Sequence, residues 1–336
     1  MHCRPQRQHE SVGAPPAALR SLAAVGQAEV TRYPVAYEPA LANALADYAG
    51  VSPEMIACGC GSDDVLDSAI RAFAEPGELL CLPDPSFSMI PVFARTNGLR
   101  PVAIPLTRRL DADVDAILET GARIIYLCSP NNPTGAAFSR RAVEQIVDRA
   151  PGLVIIDQAY VEFGGDSFTD LASSGRPVLL TRTMSKAFGL AGLRAGYGIG
   201  SPELIAEVLK ARGPYKVNAL AERAAIAVLE SDRAWVTEHI DDVIANRSDF
   251  RAELAKRGIA SLESSANFVL IPVADCAAAS RKLERAGICA RPFRGLSGIG
   301  DAMRITIGPR NMMQGCLDAL VAEDVTGVAP TPGEGA

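Results

Sequence analysis

Short apolar runs alternate with longer amphipathic stretches along most of this chain. Runs of strand length fall at 55–58, 79–82, 101–104, 124–128, 153–156, 178–182 and 195–199, and helical periodicity lies between most of them, as at 63–75, 87–97 and 140–149. Strands that alternate with helices predict an α/β domain built on a mostly parallel, seven-stranded sheet. A helix at 202–212 leaves that domain. From residue 219 the texture changes: a long helical stretch runs to 257, with a break near Ser231-Asp232. Strands at 267–272, 288–292 and 302–307, with helices at 275–286 and 310–323, then predict a smaller α+β domain. The expected organisation is an N-terminal segment, 1–32, packed on the rest, a large domain over 33–212, a small domain over 213–324 and a disordered Gly/Pro-rich tail, 325–336.

Composition narrows the class. The chain has 336 residues, 48% hydrophobic and 21% charged, enough to bury a large core without metal or disulfide staples. Its net charge of −6 and the lack of a basic block argue against nucleic-acid binding. No apolar run reaches the length of a membrane span, and the polar start, Met1 to Gln8, has no signal-peptide core, so a cytoplasmic protein is expected. Eight cysteines without a C-x-x-C, and histidines only at 2, 9 and 239, do not make a metal site. The cysteines are expected to be reduced, with Cys81 and Cys128 in the core.

Lysine usage changes the picture. Lysine is found only at 186, 210, 216, 256 and 282, with arginine used almost everywhere else a cation is needed. Lys186, in Thr183-Met184-Ser185-Lys186, therefore stands out. A lysine can lose its proton and form a Schiff base, which an arginine cannot. Thr183, Ser185 and Arg194 around it suit a phosphate monoester. Gly59-Cys60-Gly61-Ser62-Asp63-Asp64 follows a strand and opens a helix. It lacks the third glycine of a dinucleotide fingerprint, but with Ser62 as N-cap its free N–H groups can hold a phosphate. Ser129-Pro130-Asn131-Asn132-Pro133-Thr134-Gly135 is a rigid loop that places Asn132 at a carboxyl end of the sheet. Asp157 ends the next strand, where an ionised carboxylate can pair with a protonated ring nitrogen, and Tyr160 follows three residues later.

The order of these motifs resembles the fold type I pyridoxal-phosphate-dependent aminotransferases, and within them the histidinol-phosphate aminotransferase family. Arg32-Tyr33-Pro34, Pro83-Asp84-Pro85-Ser86-Phe87, Pro214-Tyr215-Lys216-Val217-Asn218, Ala266-Asn267-Phe268-Val269-Leu270 and Arg304-Ile305-Thr306-Ile307-Gly308 fall in the same order, so the resemblance spans about residues 10–323. It implies that Lys186 holds pyridoxal 5′-phosphate as a Schiff base and then moves the substrate Cα proton. Asp157 would pair with the ring nitrogen, Asn132 and Tyr160 would bond the ring oxygen, and Phe87 would stack on the ring. Ser62, Asp63, Thr183, Ser185 and Arg194 would hold the phosphate, and Tyr33 would reach the cofactor of the second subunit of a homodimer. Arg304 and Arg291 would take the anionic end of the substrate. An amino donor and a 2-oxo acid acceptor are the implied partners, histidinol phosphate and 2-oxoglutarate first among them. An aromatic or phenylalanine aminotransferase and a threonine-phosphate decarboxylase share the scaffold. A non-catalytic regulator of this fold would need an added DNA-binding domain, and an inactive scaffold would be expected to lose Lys186 or Asp157. The chain departs from the family pattern at Gln158, where Glu is usual, at Lys216, where Asn is usual, and at His9-Glu10-Ser11-Val12-Gly13, which replaces an N-E-N-P-Y-G-like segment.

Overall fold

The computed structural model of the protein describes residues 13–320. The substituted segment at 9–12 and the tail at 325–336 therefore lie outside the described residues. Seven strands form one sheet: β1 (Ile56–Cys60), β2 (Leu79–Asp84), β3 (Arg100–Pro105), β4 (Ile124–Cys128), β5 (Leu153–Asp157), β6 (Val178–Thr183) and β7 (Ala195–Ile199), in the order β1-β7-β6-β5-β4-β2-β3. β2 to β6 run parallel, and β7 runs antiparallel to both its neighbours. The fold is thus the α/β class expected. β4, β5 and β6 are buried along their whole length because apolar side chains leave both faces for helices to cover.

This topology positions the motifs. Three adjacent parallel strands end at one edge of the sheet, so the loops after Cys128, Asp157 and Thr183 open side by side. The reversed strand β7 brings Gly196 against the start of the helix Ser62–Phe73. A Cβ at Gly196 would lie 2.2 Å from the Ser62 backbone nitrogen, so only glycine allows that approach.

A second sheet holds β8 (Phe268–Pro272), β9 (Arg291–Leu296) and β10 (Gly300–Thr306), antiparallel in the order β8-β10-β9. The strand expected at 288–292 begins three residues later and runs further, following the left-handed Gly287 (φ 76°). The helix expected at 87–97 begins only at Ile90, with Pro91 in its first turn. The helices Pro16–Ala23, Pro39–Ala49 and Val114–Glu119 were not among the predicted elements. The break in the long helix is where the sequence places it, between Ala219–Ser231 and Arg233–Lys256. There the buried Asp232 carboxylate accepts the Ala17 N–H at 2.6 Å, which ties the helix Pro16–Ala23 to this corner.

Among the described cysteines, 58, 60, 81, 128, 276 and 316 are free thiols. Cys289 departs from that expectation. It is disulfide-bonded, and it lies exposed just ahead of β9, unlike the buried thiols of the core. Among the described residues no group of His, Cys, Asp and Glu side chains is arranged to hold a metal, and no helix is long and apolar enough to cross a membrane.

Candidate active site

A cavity of about 720 Å³ opens at the carboxyl edge of the large sheet, and the side chains of both sheets line it. Of the predicted site residues, Ser62, Asp63, Phe87, Asn132, Asp157 and Tyr160 line it from the segments at the ends of β1, β2, β4 and β5, which lie across the large sheet. Thr183, Ser185, Lys186 and Arg194 come from the β6–β7 connection, and Arg291 and Arg304 from the small sheet. Tyr33 does not join them. It is 84% exposed and packs on the Tyr215 ring, with centroids 5.0 Å apart.

The floor is a carboxylate. Asp157 is buried at the end of β5, where its Oδ2 accepts the Tyr126 hydroxyl at 2.7 Å and its Oδ1 accepts the Ala159 N–H at 3.1 Å. Burial raises its pKa to about 6, and those two donors limit the rise. The donors it binds, the Tyr126 hydroxyl and the Ala159 N–H, are neutral, so a cation placed against the carboxylate would meet a charge that they do not balance. Tyr126 carries this arrangement and was not among the predicted residues. The signal was a lone hydroxyl inside an otherwise apolar strand, Ile124-Ile125-Tyr126-Leu127-Cys128.

Lys186 lies deep in the cavity, its Nζ 5.6 Å from the centre of the Tyr160 ring. Desolvation first, then the positive charges of Arg304 and Arg194, lower its pKa to about 8, with Asp63 and Asp157 pulling the other way. A tenth or so of it is a free amine at neutral pH, against well under a thousandth for an ordinary lysine.

One end of the cavity is built for an anion. Gly61, at φ 76°, caps the helix Ser62–Phe73. The expectation that Ser62 is the N-cap is corrected here: it is the first helical residue, and the left-handed turn before it admits glycine without strain. Arg194, itself left-handed at φ 59°, donates to Ser185 Oγ at 3.4 Å and to Asp63 Oδ2 at 3.3 Å. Its guanidinium occupies the place a Gly61 Cβ would take. The Thr183 hydroxyl accepts the Ser185 N–H at 3.1 Å. A helix start, two hydroxyls and a planar fork of donors together suit a phosphate.

The other end carries two arginines. Arg291 and Arg304 are directly paired across β9 and β10. Arg304 is buried, donates to Asn132 Oδ1 at 2.5 Å and lies 5.0 Å from the centre of the Phe268 ring. Its Nε has no partner. Arg291 lies over Phe293 at 5.4 Å. Asn131, also unassigned by the sequence, locks the loops together: it donates to Pro85 O and Thr134 Oγ1 and accepts the Ser86 hydroxyl.

Behind Asp157 lies a buried polar cluster. One nitrogen of Arg182 donates to Gln158 Oε1, Ser167 Oγ and Thr169 Oγ1, each at 3.0 Å. Both carboxylate oxygens of Glu162 are buried without a hydrogen bond. Burial pushes the Glu162 pKa up to about 7, and the nearby charge of Arg182 only partly opposes it.

Cofactor chemistry fits these residues: a buried carboxylate that wants a cation, a partly neutral amine and a phosphate-shaped anion end share one cavity. Comparison with known proteins points the same way. Residues 8–320 match the family described as Aminotransferase class I and II. A histidinol-phosphate aminotransferase of Roseiflexus castenholzii is 38% identical over 92% of this chain and 86% of its own length. An aromatic amino acid aminotransferase of Rhodococcus jostii is 36% identical over 89% of this chain and 84% of its own. The crystal structure of histidinol-phosphate aminotransferase from Sinorhizobium meliloti, in complex with pyridoxal 5′-phosphate, has the same fold, with a TM-score of 0.83 at 24% identity, covering 94% of this chain and 89% of that one.

Two titrations follow from the site. Labelling of Lys186 by an aryl aldehyde and borohydride, followed by peptide mass spectrometry, is expected to rise with pH and reach half its maximum near pH 8. Half-maximal labelling near pH 10, as for a solvated lysine, would show that the pocket does not lower its basicity. The raised pKa of Glu162 means that the folded chain holds a proton that the unfolded chain releases. Stability should therefore fall as pH rises from about 4.5 to 7, with Glu162 contributing about 3 kcal/mol at most beside the share of Asp157. Glu162→Gln should flatten that part of the profile in urea unfolding at pH 5, 6 and 7. An unchanged slope would remove Glu162 as its source.

Proposed function

Because the chain belongs to the aminotransferase class I and II family, we propose that it is a histidinol-phosphate aminotransferase of histidine biosynthesis, exchanging an amino group between histidinol phosphate and 2-oxoglutarate. Pyridoxal phosphate, the family's cofactor, supplies when bound an aldehyde for an amine to condense with and a ring that withdraws electrons from the substrate Cα.

The chain's own groups divide the remaining work. Lys186 offers the amine that anchors the cofactor, and its lowered basicity supports the same Nζ taking a proton from the substrate Cα. Asp157 holds a proton on the ring nitrogen by supplying the negative charge it lacks a match for. Asn132 and Tyr160 orient the ring through its oxygen, and Phe87 covers a ring face. The Ser62 and Asp63 backbone N–H groups, Thr183, Ser185 and Arg194 bind the cofactor phosphate.

The observation that carries the substrate reading is the pairing of Arg291 with Arg304 across two strands. Two cations at one end suit a phosphate dianion, and the same end can take the single carboxylate of the second substrate. The flanking Phe268 and Phe293 rings favour a second reading, an aromatic amino acid aminotransferase.

The protein is read as a homodimer with shared sites. Val30, Tyr33 and Val35 are each more than 60% exposed, and a second copy packed here would cover them.

The visible absorbance band of protein loaded with pyridoxal phosphate is expected to collapse on adding histidinol phosphate and to return with a keto-acid acceptor, with no release of CO2. Collapse with phenylalanine or tyrosine but not with histidinol phosphate would give the second reading instead. Light scattering after gel filtration should give twice the chain mass. A monomer of unaltered Tyr33 protein would refute the shared site.

A further inference from the structure

The groups assigned so far leave one cation beside the phosphate end without a task. Lys216 lies in the short link between the helices Pro202–Arg212 and Ala219–Ser231. Its Nζ is 3.1 Å from Asp64 Oδ1. Asp64 is the third residue of the helix Ser62–Phe73, and its side chain is only 12% exposed. Its other oxygen accepts the Cys60 N–H at 3.1 Å. This carboxylate therefore occupies the first turn of the helix whose start faces the cavity. A carboxylate and a phosphate at one helix start draw on the same positive end and repel each other.

The neighbouring charges show which cation answers Asp64. Asp63 already has Arg194 at 3.3 Å. Arg212 comes within 3.9 Å of Asp64 through Nε, but that nitrogen makes no hydrogen bond. Arg212 is instead bonded to Glu38, and both side chains are fully buried. Glu38 also accepts the Val217 N–H at 3.4 Å, next to Lys216. The charge of Arg212 is largely spent on Glu38, so Lys216 is the cation left for Asp64. Four alternating charges, Glu38, Arg212, Asp64 and Lys216, run from the interior to the helix start.

We propose that Lys216 is a positioning residue for the cofactor phosphate: it neutralises and pins Asp64, the carboxylate that shares the helix N-terminus with that phosphate. Lys216 is not among the residues that line the cavity, so it acts through Asp64 and not by touching the ligand. The inference rests on the reading of the cavity as a pyridoxal phosphate site. Its effect is confined to ligands that carry the phosphate. Lys216 is itself 40% exposed and Asp64 keeps its bond to the Cys60 N–H, so the pair adds little to folding and stability is not where the effect appears.

The test compares pyridoxal phosphate with pyridoxal, which lacks the phosphate, as ligands of the full-length protein stripped of cofactor, with dissociation constants read from absorbance titrations. Lys216→Met is expected to weaken pyridoxal phosphate roughly tenfold, the weight of one partly screened charge. Pyridoxal binding and the thermal midpoint of the unliganded protein should stay as in wild type. Lys216→Arg should bind as wild type. Asp64→Asn keeps an oxygen for the Cys60 N–H, and in the double variant with Lys216→Met it should recover most of the lost affinity. Equal losses for both ligands, no loss at all, or a double variant as weak as Lys216→Met would each overturn the proposal. The last result would mean that Lys216 meets the ligand directly. A wild-type protein that bound neither compound would overturn the proposed function and this inference together, whereas unaltered binding by Lys216→Met overturns this inference alone.

Discussion

A carboxylate taken out of water without a cation beside it is the constraint on which this site depends. Asp157 ends a strand buried on both faces, so solvent screens its charge poorly, and the groups bonded to it are a phenol and a peptide N–H. Such a group is tolerated only where its desolvation is partly repaid, and here Tyr126, from the adjacent parallel strand, repays part. The remainder is an unmet demand for positive charge at one point of the cavity floor. Lys186 and Arg304 are set round that point at the depth where their own charges are also costly. The site is therefore a balance of mutually perturbed groups, in which the state of each depends on the others.

Much of this was legible in the sequence because the sheet is parallel. Strands buried on both faces are continuous apolar runs, and parallel strands deliver the residues after them to one edge. Asn132 and Asp157 could thus be placed at the ends of two such runs, whereas Lys186 stood out through the scarcity of lysine and joined them through the order of the motifs. The antiparallel β7 leaves no such mark, since its direction depends on a connection and not on its pattern. The start of β9 was displaced because Arg291-Pro292-Phe293-Arg294 is half exposed and does not read as an apolar run.

What stayed hidden were partners whose role is defined by a contact. Tyr126 looked like one more core residue, and the Glu38–Arg212 pair joins positions 174 residues apart. Gly61 displaced Ser62 as the cap because the chain must turn left-handed to let β7 pass, a demand set by a strand more than a hundred residues later. Local preference favoured serine there, and the tertiary approach decided otherwise.

The corner at Asp232 has a mechanical meaning as well. One side chain marks the end of the helix Ala219–Ser231 and the start of Arg233–Lys256, and also holds the first turn of Pro16–Ala23 through a 2.6 Å bond. Three helices thus share a single pivot. A displacement of the long helix that leads toward the second sheet must either sweep the amino-terminal helix along with it or break that bond and strand a buried carboxylate. That one bond couples the placement of the helix Pro16–Ala23 to the junction of two helices more than two hundred residues later.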